Sequence, residues 1–351
     1  MSATIRDVAR DASVSVATVS RVLNGKGPVR ETTRRRILRV AQRLRYVPHG
    51  AARSLITRKT STLGVLLPDL YGEFFSELIR GIDVAARRAG YHVLVSGSHS
   101  DRKETEELLR AIRGRVDGLI VLSPTFGVHQ LRSNLPEELP VVLLNSADDD
   151  AFESIRVDNY GGALAMTRHL IALGHRRIAF VRGPSDNHDA EERLRGYREA
   201  SRSAALGWSA ALEIPGTFRE EAGYRASARI LRMRPRPTAV FVANDAMAIG
   251  LLCAFRERRI RVPEDVALAG FDDIPIARFL TPPLSSVRVP IAELGTRAVR
   301  RMLRALRKEN GHVSRHETLP TTLVIRASCG ATPRDGRAEA FLAEEGRRNA
   351  L

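Results

Sequence analysis

The sequence has only two cysteines, Cys253 and Cys329, among its 351 residues. They lie far apart and match no metal-binding or redox spacing, so neither a disulfide framework nor a thiolate metal site organises the fold. Both are surrounded by apolar residues. We therefore expect two buried free thiols in a reducing cytoplasm.

Long apolar runs are also missing. No stretch approaches the roughly 18 uninterrupted apolar residues of a membrane span, and the N-terminus lacks the apolar segment of a secretory signal. We therefore expect a cytoplasmic protein with no membrane partner.

Motifs of catalysis are absent as well. The sequence contains no G-x-S-x-G elbow, no Walker loop, no G-x-G-x-x-G after a strand and no H-E-x-x-H. The nine histidines are scattered, and His188 beside Asp189 is better explained as a surface or cleft residue. We expect neither an enzyme nor a cofactor or metal site.

Positive charge is abundant and concentrated at one end. The chain has 56 Lys and Arg against 40 Asp and Glu, a formal charge of +16, and residues 1–60 contain 14 basic and 3 acidic side chains. An arginine-rich composition alone would spread the excess evenly. The concentration instead indicates phosphate binding by the N-terminal segment.

The pattern of residues 4–24 predicts a helix, a tight turn and a second helix. Thr4 and Asp7 have the spacing of a capping box, and Ser15 is placed to cap the second helix. Apolar residues recur on one side of each helix, at Ile5, Val8, Ala9 and Ala12 and then at Val19, Val22 and Leu23. The opposite side of the second helix has the character of a recognition helix for the major groove.

A third helix is predicted from Arg30 to about Leu44, with an apolar stripe of Ile37, Leu38, Ala41 and Leu44. Its other face is rich in arginine and suited to phosphate contacts. Residues 46–56 form a short segment of modest helix propensity, which is too short to be stable alone. We expect it to fold when two copies pack together on DNA.

From Leu63 onward, short apolar strands alternate with amphipathic helices. Strands are predicted at 63–68, 92–96, 117–122, 140–144, 177–181, 238–243 and 266–270. Helices are predicted at 74–89, 102–113, 160–173, 189–204, 220–233, 245–258 and 291–308. This alternation predicts parallel sheets covered on both faces, and the count favours two sheets.

Several of these segments resemble the lactose-repressor (LacI/GalR) family. In the head they are Thr4-Ile5, Asp7-Val8-Ala9 and the run from Val14 to Asn24. In the core they are Leu173–Ile178, Arg193–Tyr197, Ala243–Ala248, Val262–Val266 and Gly270–Asp273. Head and core motifs follow each other in family order and spacing, which makes the resemblance specific.

The resemblance implies an all-α helix-turn-helix head joined to an α/β core with two parallel-sheet subdomains of periplasmic-binding-protein type I. The implied divisions are a head at 1–46, a hinge helix and linker at 47–61, a core at 62–330 and a disordered tail at 331–351. Within the core, the N-subdomain covers about 62–158 and 290–318, and the C-subdomain about 159–289 and 319–330.

The resemblance also implies a set of DNA contacts. Val16 and Ala17 suit apolar contacts such as a thymine methyl, and Arg21 suits a guanine or a phosphate, although ordinary helix packing also explains the first two. Leu55 aligns with a hinge leucine that wedges into the minor groove, unless it only packs hinge against hinge. The full set is Thr4, Ser15, Val16, Ala17, Thr18, Ser20, Arg21, Asn24, His49, Ala52, Arg53 and Leu55.

Two positions depart from the family pattern in the head. Ser13 replaces the usual turn glycine, and a left-handed conformation there costs roughly 1–2 kcal/mol. Arg30 replaces the usual Ser or Thr cap of the third helix, at a cost of about 1 kcal/mol. Neither change removes a base contact.

The family binds a small effector at the carboxyl ends of the strands, between the subdomains. Arg193, Asn244 and Asp272 suit paired hydroxyls, although Arg193 also suits a structural salt bridge and Asp272 a strand-end cap. Phe218 and Phe74 suit the apolar face of a sugar, with plain core packing as the alternative for Phe74. The expected lining is Asp69, Tyr71, Glu73, Phe74, Asn145, Asp189, Arg193, Phe218, Asn244 and Asp272.

Together these features predict a homodimeric repressor that binds a palindromic double-stranded operator and is controlled by a small ligand. A neutral sugar is favoured because the usual acid after the fourth strand is Asn145 and no purine-type arginine pair is present. A nucleoside or an amine remains an alternative, and Glu73 with Asp189 would suit a positive group. A secreted solute-binding protein shares the core fold but lacks the basic head.

Overall fold

The structure, a computed structural model, describes residues 3–23, 27–46, 59–98, 101–122, 128–145, 152–204, 209–309 and 315–331. The chain divides into two compact units, one with the helical head and one with both sheets. The predictions for the hinge helix at residues 47–58 and for the tail beyond 331 lie outside the described residues.

Three helices form the head: α1 (Ile5–Asp11), α2 (Val16–Leu23) and α3 (Glu31–Arg43). The predicted capping box is present, because the Thr4 hydroxyl accepts from the Asp7 N–H while the Asp7 carboxylate accepts from the Thr4 N–H. Ser15 Oγ accepts from the Thr18 N–H at 3.2 Å. Ser13 has φ +49° and Arg30 makes no side-chain cap, as both departures from the family pattern implied.

The head closes around the buried residues Val8, Ala9, Ala12, Val19, Val22, Ile37, Val40 and Ala41. The prediction for α3 was wrong at Leu38, whose side chain is 47% exposed. Helical geometry explains the error, since Val40 lies three residues after Ile37 on the same face, whereas Leu38 is turned about 100° away. Val40 takes the place in the core that was assigned to Leu38.

The larger unit contains two six-stranded sheets. The first has the order β11-β5-β4-β3-β1-β2 and only parallel neighbours. Its strands are β1 (Thr62–Leu67), β2 (His92–Gly97), β3 (Gly118–Leu122), β4 (Val141–Leu144), β5 (Glu153–Val157) and β11 (His316–Leu319). The helices that come before or between these strands in the chain are α4 (Glu73–Arg88), α5 (Arg102–Ile112), α6 (Val128–Asn134) and α11 (Ile291–Arg307).

The second sheet has the order β12-β10-β9-β8-β6-β7, and within it only the pair β10–β12 is antiparallel. Its strands are β6 (Ile178–Val181), β7 (Glu213–Ile214), β8 (Ala239–Val242), β9 (Ala267–Asp272), β10 (Ser285–Arg288) and β12 (Thr322–Val324). The associated helices are α7 (Asn159–Ala172), α8 (His188–Ser203), α9 (Glu220–Arg232) and α10 (Asp245–Glu257).

The chain passes between the sheets three times, after β5, after β10 and after β11. The central strands β3, β4, β6, β8 and β9 are buried along their whole length. This burial agrees with their continuous apolar sequences, which is how strands covered on both faces are recognised. The fold is therefore a helix-turn-helix head plus an α/β core with two parallel-sheet subdomains.

Two glycines set the packing of α9 on α10. A Cβ on Gly223 would lie 1.8 Å from the Met247 carbonyl oxygen, and one on Gly250 would lie 1.9 Å from the Glu220 carbonyl oxygen. The two helices therefore cross with their backbones in direct contact. This contact fixes the start of α10, which borders the cavity described below.

The expectation for the cysteines was correct for Cys329 and wrong for Cys253. Cys329 is fully buried, whereas Cys253 is exposed, with its Sγ 3.9 Å from the Glu257 carboxylate. The buried face of α10 includes Met247, Leu251 and Ala254. Cys253 lies on the opposite side of that helix, where apolar neighbours in the sequence do not provide burial in space.

Candidate functional site

A cavity of about 840 Å³ lies between the carboxyl ends of strands from both sheets. In the first sheet, β1 lies between β2 and β3, so the chain continues from β1 first to one side and then to the other. In the second sheet, β6 lies between β7 and β8 in the same way. Ligands of open α/β sheets bind at the carboxyl side of such switch points. All ten residues expected to line an effector site lie on this cavity: Asp69, Tyr71, Glu73, Phe74, Asn145, Asp189, Arg193, Phe218, Asn244 and Asp272.

Arg193, on the first half of α8, is the buried centre of the site, with 4% of its surface exposed. Its Nε donates to Asn159 Oδ1 at 2.7 Å and its Nη1 donates to the Ala243 carbonyl at 2.6 Å. Nη1 also lies 3.2 Å from Asp272 Oδ1, and the guanidinium carbon is 3.9 Å from the Phe271 ring centre. The protein thus holds the guanidinium through its Nε and Nη1 nitrogens.

Two carboxyl groups stand near this single cation. Asp189 is half-buried and accepts from Asn159 Nδ2 at 2.9 Å. Desolvation raises the pKa of Asp189 to about 6, against the attraction of Arg193 and His188. Desolvation also raises the pKa of Asp272 to about 6; Arg193 opposes this rise and the negative charge of Asp189 adds to it. The site is therefore rich in carboxylate relative to its cation.

Backbone strain is concentrated around the cavity. Among its lining residues, Asn145 has φ +50°, Phe218 has φ +66° and Asp272 has φ +109°. Non-glycine residues pay a conformational penalty in this region, so such positions persist where the surrounding structure holds them and are frequent at binding sites. The strain places these three side chains at the cavity wall.

Asn244 has a structural role in addition to its place on the wall. Its Oδ1 accepts from the Met247 N–H at 3.1 Å and so caps α10, while its Nδ2 donates to the Phe218 carbonyl at 2.9 Å. A primary amide has two N–H groups, so one remains for the cavity. Asn244 thereby couples the start of α10 to the loop that carries Phe218.

Two predicted residues make contacts across the cavity rather than only facing it. Glu73 Oε2, at the start of α4, accepts from the Ile276 N–H at 3.0 Å. Asp69 Oδ2, in the loop after β1, forms an ion pair with Arg219, and its Oδ1 accepts from the Tyr71 N–H at 3.0 Å. These contacts join the segments of the first sheet to those of the second.

The sequence reasoning missed three residues that organise the site. Asn159 bridges Arg193 and Asp189, but it follows β5, a strand that was not predicted. Arg219 has no motif that would single it out. Asp245 is completely buried and accepts from Ser286 Oγ at 2.7 Å and the Ile274 N–H at 2.9 Å.

Burial raises the pKa of Asp245 well above its usual value. Its two hydrogen bonds tie the loop that follows Asp272, at Ile274, to Ser286 on β10. Asp245 is therefore a residue that positions the site, and its signal in the sequence was its place directly after Asn244.

The head presents a second candidate surface, on α2. Val16 is 42% exposed, and Ala17 and Arg21 are also exposed, while Val19 and Val22 are buried. The hydroxyls of Thr4, Ser15 and Thr18 are engaged in capping contacts, with Ser15 Oγ 2.8 Å from Thr18 Oγ1; Ser20 is half-buried on the same helix. The expected contacts Asn24, His49, Ala52, Arg53 and Leu55 lie outside the described residues.

Charge around α2 is strongly positive and largely unneutralised. The head's three acids, Asp7, Asp11 and Glu31, each pair with arginines of the head itself. Exposed arginines that form no ion pair with any described residue are Arg6, Arg21, Arg30, Arg36, Arg39 and Arg45. An exposed helix face beside such a surface is the arrangement that binds a duplex.

A helical head of this kind, in one chain with an α/β core of two largely parallel sheets around a cavity, indicates a DNA-binding class of protein. Residues 4–49 match the model of bacterial regulatory proteins of the lacI family, and residues 167–329 match that of a periplasmic binding protein-like domain. The chain belongs to the LacI family of transcriptional regulators. Among the described residues, no helix is long and apolar enough to cross a membrane.

Similar proteins support this assignment over most of the chain. The ribose operon repressor of Escherichia coli (strain K12) is 37% identical over 303 residues, 85% of this chain and 91% of that protein. A CelR–cellobiose complex is 31% identical, with a TM-score of 0.71 over 93% of this chain and 99% of that one. The lac repressor dimer bound to operator and the anti-inducer ONPF is 28% identical, with a TM-score of 0.85 over 94% and 100%.

Proposed function

We propose that this chain is a dimeric repressor that binds a palindromic operator and is controlled by a sugar in the cavity of the core. The observation that carries the proposal is the presence in one chain of an exposed, arginine-flanked α2 and a cavity of about 840 Å³ lined by converging polar groups. This volume lies within the range of roughly 300–1,000 Å³ of small-molecule sites. As a regulator of transcription, the protein would act in the cytoplasm.

The proposed mechanism is a population shift between two arrangements of the core. The contacts Asp69–Arg219 and Glu73–Ile276 support it, because they can exist only while the two sides of the cavity are close together. A ligand that favours one arrangement changes the spacing of the two hinge segments in a dimer. Ordered hinges would seat both heads on the operator, and disordered hinges would release it. The division of the chain into head, hinge and core, which was predicted from the sequence, is also part of this proposal.

DNA contacts are proposed for Val16, Ala17 and Arg21 on the exposed face of α2. The first two offer apolar contacts to thymine methyl groups, and Arg21 offers a fork of donors to guanine or phosphate. The remaining residues of the predicted set contribute caps, backbone contacts and the hinge. In the cavity, Arg193, Asn244 and Asp272 would bind the ligand's polar groups, while Phe74 and Phe218 would cover its apolar face.

The test selects genomic fragments with the full-length protein and measures affinity by fluorescence anisotropy against random duplex. We expect a preference of at least about a thousandfold for a selected palindrome, falling steeply with salt. A sugar should change this affinity at least tenfold. Arg21→Ala should abolish the preference, whereas Arg110→Ala, an exposed change on α5, should not. Equal binding to all duplexes, with and without metabolites, would refute the proposal.

A further inference from the structure

We propose that the ligand of this cavity is an amine-bearing saccharide whose ammonium group binds between Asp189, Asp272 and Asn145. The inference rests on the proposed function in taking the cavity as an effector site, but it changes the expected chemistry of the effector.

The charge balance of the wall is negative in a chain of net charge +16. Two cations line the cavity, Arg193 and Arg219, and each already lies against one acid, Asp272 and Asp69 respectively. The acids of the wall that remain are Glu73, Asp186, Asp189 and Glu220. An excess of negative charge this close together repels an anion and attracts a cation.

The excess of negative charge is greatest around Arg193. Asp189 accepts from the neutral amide of Asn159, and desolvation raises its pKa against the charges of Arg193, His188 and Arg156 and a hydrogen bond from Asn145, which lower it. Asp272 takes the nearer place beside the guanidinium. Both carboxylates thus lie near one buried guanidinium that is already held by Asn159 and Ala243. His188 and Arg156 do not line the cavity, so on the wall itself Arg193 is the cation available to these two acids.

Two oxygens of the site receive no well-aligned hydrogen bond from the described residues, although Asp272 Oδ1 lies 3.2 Å from Arg193 Nη1. Among the described residues, neither Asn145 Oδ1 nor Asp272 Oδ1 receives a hydrogen bond, and both residues are more than nine-tenths buried. Arg193 Nη1 directs its hydrogen bond to the Ala243 carbonyl instead of Asp272. Buried acceptors without donors are costly, so a ligand that donates is favoured.

The chemistry of the ligand follows from the shortage of positive charge on the wall and from the shortage of hydrogen-bond donors. A phosphate has only acceptors and negative charge, a hydroxyl has one donor, and an ammonium has three donors and a positive charge. The aromatic side chains Tyr71, Phe74 and Phe218 on the same wall suit the apolar face of a pyranose ring. An amino sugar supplies both features, and a sugar phosphate is excluded.

The experiment measures binding to the full-length protein by isothermal calorimetry at pH 7. The probes are three matched series: glucosamine, galactosamine and mannosamine, their parent hexoses, and their N-acetyl derivatives. We expect at least one amino sugar to bind ten or more times tighter than both its parent and its acetylated form. Glucose 6-phosphate should not bind.

Three variants sharpen the result. Asp189→Asn and Asp272→Asn keep the side-chain shape and should each lower the preference for the amine at least tenfold. The control Glu192→Gln lies on the same helix as Asp189, pairs with the exposed Arg195 and is not part of the wall, so it should change nothing. Because either aspartate variant alone tests the idea, misfolding of one leaves the other informative.

The outcomes separate the two proposals. A parent hexose that binds as tightly as its amine overturns this inference, and if that hexose also changes operator affinity, the proposed function stands. Absence of binding by every probe overturns the inference as well. Failure of the protein to distinguish operator from random duplex would instead count against the proposed function alone.

Discussion

Arg219 and Asp69 form an ion pair across the mouth of the cavity, joining the residue before α9 to the loop after β1. The guanidinium carbon of Arg219 also lies 5.7 Å from the ring centre of Tyr71. With the Glu73–Ile276 hydrogen bond, this pair connects the segments that border the two sheets. A side-chain contact of this kind biases the core toward the closed arrangement of the cavity.

Arg219→Ala should weaken ligand binding by about two- to fivefold, because an exposed ion pair contributes up to about 1 kcal/mol. The measurement is calorimetric affinity for any ligand identified by the panel above. Arg225→Ala, an exposed change on α9, is the matched control. An affinity unchanged by the loss of Arg219 would show that the pair does not bias the closed arrangement.

Arg193→Met should lower the free energy of unfolding by about 3–5 kcal/mol, because it leaves the buried Asp272 without its cation. It should also abolish the effect of ligand on operator binding while operator affinity persists. Adding Asp272→Asn should restore part of the lost stability, since the two changes are coupled through one ion pair. Urea denaturation of the single and double variants measures this coupling, and simple additivity would contradict it.

Most of the architecture follows from patterns that are local in the sequence. The seven predicted core helices agree with the observed ones to about one residue at each end. Six of the seven predicted strands are buried and have continuous apolar runs, and the exception is the edge strand β2. The ten side chains expected at the cavity came from the family resemblance together with the rule that ligands bind at strand ends, and all ten line it.

The features that could not be predicted from the sequence are those that depend on tertiary contacts. Strands β5, β10, β11 and β12 are short and mixed in composition, and β7 has two residues, so no periodicity marks them. The Asp69–Arg219 pair spans 150 positions. The exposure of Leu38 and Cys253 depends on which side of a helix faces the core, which a stripe of neighbouring apolar residues does not decide.

Leu55→Ala should weaken specific operator binding at least tenfold while nonspecific binding stays nearly unchanged. The reason is that a minor-groove wedge acts only where the hinge is seated on its operator, whereas nonspecific affinity comes from phosphate contacts. Anisotropy titrations with the operator and a scrambled duplex give both values. Equal losses on the two duplexes would refute the wedge and favour simple packing of hinge against hinge.

Ser13→Gly should stabilise the head by about 0.5–1 kcal/mol, because Ser13 has a left-handed backbone that glycine adopts without strain. Hydrogen exchange of the α1 and α2 amides in the full-length protein measures this local effect. Ser15→Ala is a matched change of opposite sign, since it removes the hydroxyl that accepts from the Thr18 N–H. Faster exchange in Ser13→Gly would contradict the assignment of strain to this residue.

The stability of the ligand-free core should decrease between about pH 4 and pH 6 because of Asp272. Its pKa is raised to about 6 in the folded chain from 3.8, so the folded state binds the proton more tightly than the unfolded state. The stabilising effect of protonation is complete at low pH and is lost as the pH rises through the folded pKa. Relative to Asp272→Asn, the wild type should therefore lose about 2 kcal/mol of unfolding free energy from pH 4 to pH 7. Urea denaturation of both proteins over this range separates the effect of Asp272 from the effects of other carboxyl groups. Asp265 is one of these groups; its pKa is lowered to about 2, and its titration acts in the opposite direction.

Parallel pH profiles for the wild type and the variant would mean that Asp272 is ionised in the folded chain as readily as in water.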